Sequence, residues 1–325
     1  MRSSRSVSRR TAVAAAAVAA ASALLLTACG AEDPESGGAG ESSSKTRTVT
    51  DVTGAKVEIP GGVEKVVVLS EMDLDSSLAL GVKPVGLSAG RGQQGAPEYL
   101  GDATEGIPVV GAVTGPDIEK VASAGPDVIL AGQIADKQVL EQLRTIAPTV
   151  VTVGKDRSWK KSLKLTAEAL GKEAEVEKFV RGYEERVESV KQALGDRSGA
   201  EVSVARYSAR GTAVMQQGVF ISDVLNDLGL KRPGIQNDQG EGHSTPVGDE
   251  DIKQIDGDWL FIGTLASTGE DADLFRKLKE KPAYRQLSAV KNDHVTEVDG
   301  SKWTSLGGAE AAMSVLDDIE EAMAG

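Results

Sequence analysis

From Thr48 onward, short apolar runs alternate with charged segments of helical period. The runs Lys65-Val66-Val67-Val68-Leu69, Pro84-Val85-Gly86-Leu87, Asp127-Val128-Ile129-Leu130 and Thr149-Val150-Val151-Thr152-Val153 do not alternate with polar residues. Such runs suit strands buried on both faces, which means a largely parallel sheet covered by helices on either side. Two shorter strands, Thr48 to Val52 and Lys56 to Ile59, precede them around a Thr53-Gly54 turn. Between the runs, Asp117 to Ala124 predicts a short helix stopped by Gly125-Pro126, and Asp136 to Ile146 a second one closed by Pro148.

Ser158 to Leu194 reads as helical throughout, with a break near Gly171 and Gly195 just past the end. In its second piece Val176, Phe179, Val180, Tyr183, Val187, Val190 and Leu194 fall on one face. At 1.5 Å per residue that piece spans roughly 35 Å, enough to bridge two lobes. The alternation then restarts. Strands are expected at Glu201 to Ala205, Trp259 to Ile262 and His294 to Val298, and helices at Ile221 to Leu228, Asp249 to Ile255, Ala272 to Glu280 and Gly308 to Met323. The fold class is α/β, with an N-terminal lobe over 48–170, a linking helix over 171–194 and a C-terminal lobe over 195–325.

The first 29 residues read as a lipoprotein signal peptide. Arg2, Arg5, Arg9 and Arg10 precede an apolar run from Thr11 to Leu26, which is shorter than the roughly twenty residues of a membrane span. Leu26-Thr27-Ala28-Cys29 resembles a lipobox, so Cys29, the only cysteine of the chain, is the expected lipidation site. Ser8-Arg9-Arg10-Thr11 weakly resembles a twin-arginine signal, and the export route is left open. Residues 30–47 are Gly, Ser and acidic residues with almost no apolar side chain, a composition too polar to fold and suited to a disordered tether. With no disulfide, the exported part must rely on a large core. The formal net charge of −13 argues against nucleic acid as a partner.

The ordered segments resemble a known family, the substrate-binding proteins of ABC importers for ferric siderophores, haem and cobalamin. The resemblance rests on Val57-Glu58-Ile59-Pro60 ahead of the first run, Leu78-Ala79-Leu80-Gly81-Val82-Lys83-Pro84-Val85-Gly86, and Asp117-Ile118-Glu119-Lys120-Val121 with Gly125-Pro126-Asp127-Val128-Ile129-Leu130. It continues through Ile146-Ala147-Pro148-Thr149-Val150, Val224-Leu225-Asn226-Asp227-Leu228-Gly229-Leu230, Glu250-Asp251-Ile252 and Trp303. No one of these is specific alone; their order over the whole ordered chain is. The resemblance implies two Rossmann-like lobes held by one rigid helix, a ligand cleft between them, and delivery of a ferric siderophore, hydroxamate favoured, to an ABC permease dimer. It implies no intrinsic cofactor and no metal bound directly by the protein, the ligand being an iron(III)-siderophore complex.

In open α/β sheets ligands sit beyond the carboxyl ends of the strands. That rule selects loops at Ser70-Glu71-Met72, Ser88 to Gln94, Ala131-Gly132-Gln133, Arg206-Tyr207-Ser208, Thr264-Leu265 and Asp299 to Trp303. Within them Arg206 and Arg91 offer forked donors, and Trp303 and Tyr207 offer aromatic faces. The resemblance places an arginine and a tryptophan of the pocket at Arg206 and Trp303. Gln133, Glu71 and Met72 are further candidates by loop position. Trp159 either faces the cleft or begins a helix, and Phe220 either reaches the pocket or anchors the core. By the same resemblance, Glu119 and Glu250 match the acidic residues, one on each lobe, that meet arginines of the permease.

Catalysis is not expected: there is no Walker loop and no Cys/His pair. His243 and His294 lie about fifty residues apart, without metal-ligand spacing. The same architecture binding cobalamin or haem is the alternative, with Tyr207 a possible axial ligand for haem. Lipid anchorage and the Ala/Gly-rich composition suggest a monomer on the outer face of the membrane of a Gram-positive, actinobacterial cell. Cys29→Ser is expected to move the protein from the membrane fraction to the medium; retention of the variant on membranes sinks the anchor assignment.

Overall fold

The computed structural model describes residues 46–239 and 242–325. The expected signal peptide, Cys29 and most of the expected tether therefore lie outside the described residues. Strand β1 (Arg47–Thr50) pairs antiparallel with β2 (Lys56–Ile59), so the last residue of the segment expected to be tether, Arg47, lies in a strand. Between them Asp51 Oδ1 accepts from the Thr53 amide at 2.8 Å, the Thr53 hydroxyl at 2.6 Å and the Ala55 amide at 3.0 Å. That side-chain turn fixes the reversal at Thr53-Gly54.

The first lobe is built on a six-stranded sheet. Its strands are β3 (Val66–Val68), β4 (Gly86–Ala89), β5 (Val109–Ala112), β6 (Gly115–Pro116), β7 (Val128–Leu130) and β8 (Thr149–Val150), in the order β6-β5-β4-β3-β7-β8. All neighbours are parallel except β5 and β6. Every residue of β3 and β7 is buried, as runs covered on both faces must be. Strands β5 and β6 carry too little apolar sequence between Pro108, Gly111 and Pro116 to stand out beforehand.

The helices of this lobe are α1 (Glu71–Ala79), α2 (Ile118–Ser123), α3 (Lys137–Ile146) and α4 (Trp159–Leu170). Helix α1 corrects the loop expected at Ser70 to Met72. Ser70 Oγ accepts from the Asp73 amide at 3.0 Å and caps the helix. Its sequence shows no apolar stripe because seven of its nine residues are buried, polar ones included. Gly171, in the left-handed region, ends α4 and separates it from α5 (Glu173–Leu194), which at 1.5 Å per residue runs roughly 33 Å.

The second lobe carries β9 (Val202–Ser208), β10 (Gly211–Val214), β11 (Trp259–Gly263) and β12 (Val295–Glu297) in the order β10-β9-β11-β12. Strands β9, β11 and β12 are parallel, and β10 returns antiparallel to β9 as a hairpin. Its helices are α6 (Phe220–Asp227), α7 (Glu270–Glu280), the short α8 (Pro282–Arg285), α9 (Ser288–Lys291) and α10 (Gly300–Trp303), and α11 (Ala309–Ala324). The helix expected over Asp249–Ile255 is a 3-10 turn.

One apolar cluster runs across both lobes. Met72, Trp159 and Leu163 from the first meet Tyr183, Val187 and Val190 of α5 and Phe220, Trp303, Val315 and Leu316 from the second. Helix α11 packs on both α5 and α1. At that junction Asp75 of α1 accepts from the Glu310 amide at 2.8 Å and the Ala311 amide at 3.0 Å, two open donors at the start of α11, and from the Tyr99 hydroxyl at 2.7 Å. Asp73, two residues earlier, accepts from the Thr152 hydroxyl.

Burial pushes both carboxyls up from 3.8 to about 6, against the hydrogen bonds that hold them ionised. The native state therefore binds protons between about pH 6 and pH 4 that the unfolded chain does not. Their contribution favours the fold in acid and is lost as pH rises through about 6. Asp75→Asn is expected to gain less stability than the wild type between pH 6.5 and pH 4.5 in urea unfolding; an unchanged difference would contradict this account.

Candidate ligand-binding cleft

In the six-stranded sheet the chain order reverses at β3, with β4 on one side and β7 on the other. The loops leaving these strands diverge there, and the second lobe closes the opposite side. The central pocket has a volume of about 200 Å³ and is lined from the first lobe by Arg91, Gln133 and Arg157. From the second lobe come Arg206, Phe220, His243 and Trp303. Two further recesses share Gln133 in their lining, one of about 300 Å³ toward Ser70 and Pro116, the other of about 730 Å³ toward Val52 and Leu140.

Arg91 follows β4 and is held twice by Glu71, the first residue of α1. Its amide and its Nη1 each donate to the Glu71 carboxylate at 2.6 Å. Nη1 also lies 3.5 Å from Ser305 Oγ across the gap, and Gln93 Nε2 donates to the Leu265 carbonyl at 2.6 Å beside it. Glu71 is thus buried beneath Arg91, its side chain 3% exposed against 38% for the arginine, and is not among the lining residues. Gln133 depends on Gly132, whose φ is +53°. A Cβ there would fall 2.4 Å from Ser70 Cβ, so only glycine lets the β7 loop turn against the start of α1.

Arg206 lies within β9 rather than in a loop after it, because that strand runs on to Ser208. Successive side chains of a strand point to opposite faces. Arg206 consequently lines the cleft and donates to the Thr304 carbonyl at 3.0 Å, while Tyr207 is buried on the other face against Phe275, ring centroids 5.9 Å apart. Burial, and after it the charge of nearby Arg91, holds the Arg206 guanidinium below its usual pKa. An anion in the pocket would relieve both.

Trp303 ends the short helix α10 and is fully buried. It stacks on Phe261 at 4.5 Å, and its Nε1 donates to Asp318 at 2.7 Å, so the cleft meets only part of a side chain seated in the core. Phe220 is likewise buried, with Gly307 lying over its ring. At φ +62°, a Cβ on Gly307 would come 2.3 Å from Phe220 Cγ. Met72 and Trp159 are not brought to the pocket. Met72 turns inward on the first turn of α1, and Trp159 opens α4 with its ring edge-on to Tyr183 at 4.9 Å. For Trp159 the helix-start alternative is the one found, and Met72 was chosen because the first turn of α1 was read as a loop.

Sequence reasoning also left out Arg157, although the loop after β8 obeys the same rule as the loops that were chosen. His243 reaches the pocket as well, next to the undescribed Gly240 and Glu241, while His294 stacks on Trp259 at 4.0 Å. Among the described residues no group of three His, Cys, Asp or Glu side chains comes together to hold a metal ion. Glu119, in the first turn of α2, and Glu250, in the 3-10 turn, are both exposed.

Residues 66–301 match the family model described as periplasmic binding protein. The chain is 33% identical over 303 residues to the probable siderophore-binding lipoprotein YfiY of Bacillus subtilis, covering 90% of this chain and 92% of that one. It is 28% identical over 282 residues to the iron(3+)-hydroxamate-binding protein FhuD of the same organism, covering 84% and 85%. Among solved structures, Staphylococcus aureus SirA complexed with staphyloferrin B superposes with a TM-score of 0.74 at 29% identity, covering 85% of this chain and 98% of that one.

Because Trp303 is seated in the core, Trp303→Ala is expected to lower folding stability by about 3–5 kcal/mol, measured by urea unfolding. A variant of wild-type stability would place the ring outside the core after all.

Proposed function

Since the chain belongs to the periplasmic binding protein family, we propose that it is the extracytoplasmic substrate-binding protein of an ABC importer, capturing a ferric siderophore and delivering it to the permease. It is a binding protein and not an enzyme. The observation that carries the reading is the set of three guanidiniums, Arg91, Arg157 and Arg206, around one pocket whose described lining includes no carboxylate. A siderophore already fills the coordination sphere of iron(III), so its binder needs donors to the outer oxygens rather than ligands to the metal. Forked guanidiniums supply such donors in a partly buried setting where charge–charge attraction is strong.

The same observation bears on the chelate. Arg91 is already paired with Glu71, but Arg206 is held by a backbone carbonyl, and a net-negative complex, with free carboxylate or catecholate oxygens, supplies it with a counter-charge that a neutral hydroxamate complex does not. We therefore place an anionic chelate first and a hydroxamate second. Haem and cobalamin are not favoured, and Tyr207, considered as an axial ligand for haem, is packed on Phe275.

Within this reading Arg91, Arg206 and Gln133 contact the ligand. Glu71 fixes Arg91 from beneath, and Phe220 and Trp303 form the apolar backing. Met72, Trp159 and Tyr207 act through the core. Glu119 and Glu250 dock on the permease dimer, as exposed acids at a rim set orientation and encounter rate. Lobes over 48–170 and 195–325 move little about the helix of 171–194. Lipid on Cys29 tethers a monomer to the outer face of the membrane, in a Gram-positive and, from its composition, actinobacterial cell.

The test is titration of the 30–325 protein with ferric citrate, a ferric catecholate, ferrichrome, haem and cobalamin, followed by tryptophan fluorescence. Saturable binding of an anionic ferric chelate is expected, weakened by about 1–3 kcal/mol in Arg206→Ala and reduced by salt. Saturation by haem alone, or an affinity indifferent to Arg206, sinks the proposal.

A further inference from the structure

The recess beside the pocket, toward Val52, has a volume of about 730 Å³, against about 200 Å³ for the pocket itself. The part that holds Arg91 and Arg206 is thus the smaller share of the available space. The recess differs from it in chemistry. Its walls include Val52, Leu140, Val151 and Val153. Val52, at 44% exposure, is the one large apolar side chain left exposed among the described residues. A lone exposed valine means nothing by itself. Here it lines a partly apolar hollow that adjoins the ligand cleft.

The hollow is fixed rather than incidental. The Val52 amide donates to the Val151 carbonyl at 3.1 Å, and the Val153 amide donates to the Gly132 carbonyl at 3.1 Å. These bonds tie the turn after β1 and the segment after β8 to the β7 loop that carries Gln133. Gln133 and Arg157 line both the pocket and the recess, so the two adjoin at these side chains. Lys155 and Arg144 flank the apolar wall, with Glu141 the single acid of the lining. An apolar trough bordered by cations and adjoining a cationic pocket suits one molecule with an anionic head and a hydrocarbon arm.

We propose that this recess is a subsite for an acyl or alkyl arm of the chelate, so that the protein takes an amphiphilic siderophore whose charged, iron-bearing head sits at Arg91 and Arg206. The inference rests on the siderophore reading above and adds the class of ligand. Each methylene fully removed from water adds about fourfold in affinity, so even partial burial of a medium-length chain is readable.

The experiment compares ferric complexes of a citrate-based siderophore bearing an octanoyl arm and of its tail-free counterpart, below the micellar concentration, by calorimetry on wild type and Val52→Asp. The acylated complex is expected to bind wild type about tenfold or more tightly than the tail-free one. Val52→Asp is expected to lose that advantage while keeping the tail-free affinity. Equal affinities in wild type, or an undiminished advantage in the variant, overturn the subsite alone. Failure of wild type to bind either complex overturns the siderophore reading and the subsite with it.

Discussion

The cleft exists because a shared helical core, rather than a flexible strand crossover, sets the distance between the two sheets. Helices α1, α4, α5 and α11 bury one apolar cluster to which both lobes contribute. Asp75 completes the junction by holding the first amides of α11 from the side of α1. Close-packed interiors do not deform continuously, so this arrangement gives the ligand a preformed gap of set width. A binder of this type takes up a rigid, bulky chelate without having to organise itself around it, and little of the binding energy is lost to reordering.

Charge in the cleft follows from where each element begins or ends. Arg91, Arg157 and Arg206 come from the ends of β4, β8 and β9, so cations far apart in sequence converge. Arg91 is restrained by Glu71, and Arg206 by the Thr304 carbonyl. Arg206 is kept below its ordinary pKa by burial and by Arg91. A guanidinium desolvated in this way is well placed to meet an anion in the pocket.

A single register rule explains why two neighbouring residues have different places. Arg206 and Tyr207 lie next to each other on β9, and the alternation of the strand sends one to the cleft and the other to the core. Met72 went astray for the corresponding reason in helices. It stands in a first turn whose inward face is set by the helix axis, not by proximity to a strand end.

The sequence by itself determined the two-lobe α/β plan, because buried parallel strands, glycine breaks such as Gly171 and the apolar face from Val176 to Leu194 are local patterns with local causes. It also singled out Arg91, Arg206, Gln133, Trp303 and Phe220, since loops at strand ends are where ligands meet an open sheet. Only the tertiary structure decided which of the candidates face the cleft, that Arg157 joins them, and that Trp303 is seated in the core. Those outcomes depend on strand length, helix phase and the packing of α11 on α1 and α5, which arise from contacts between segments more than a hundred residues apart and leave no periodic trace in the chain.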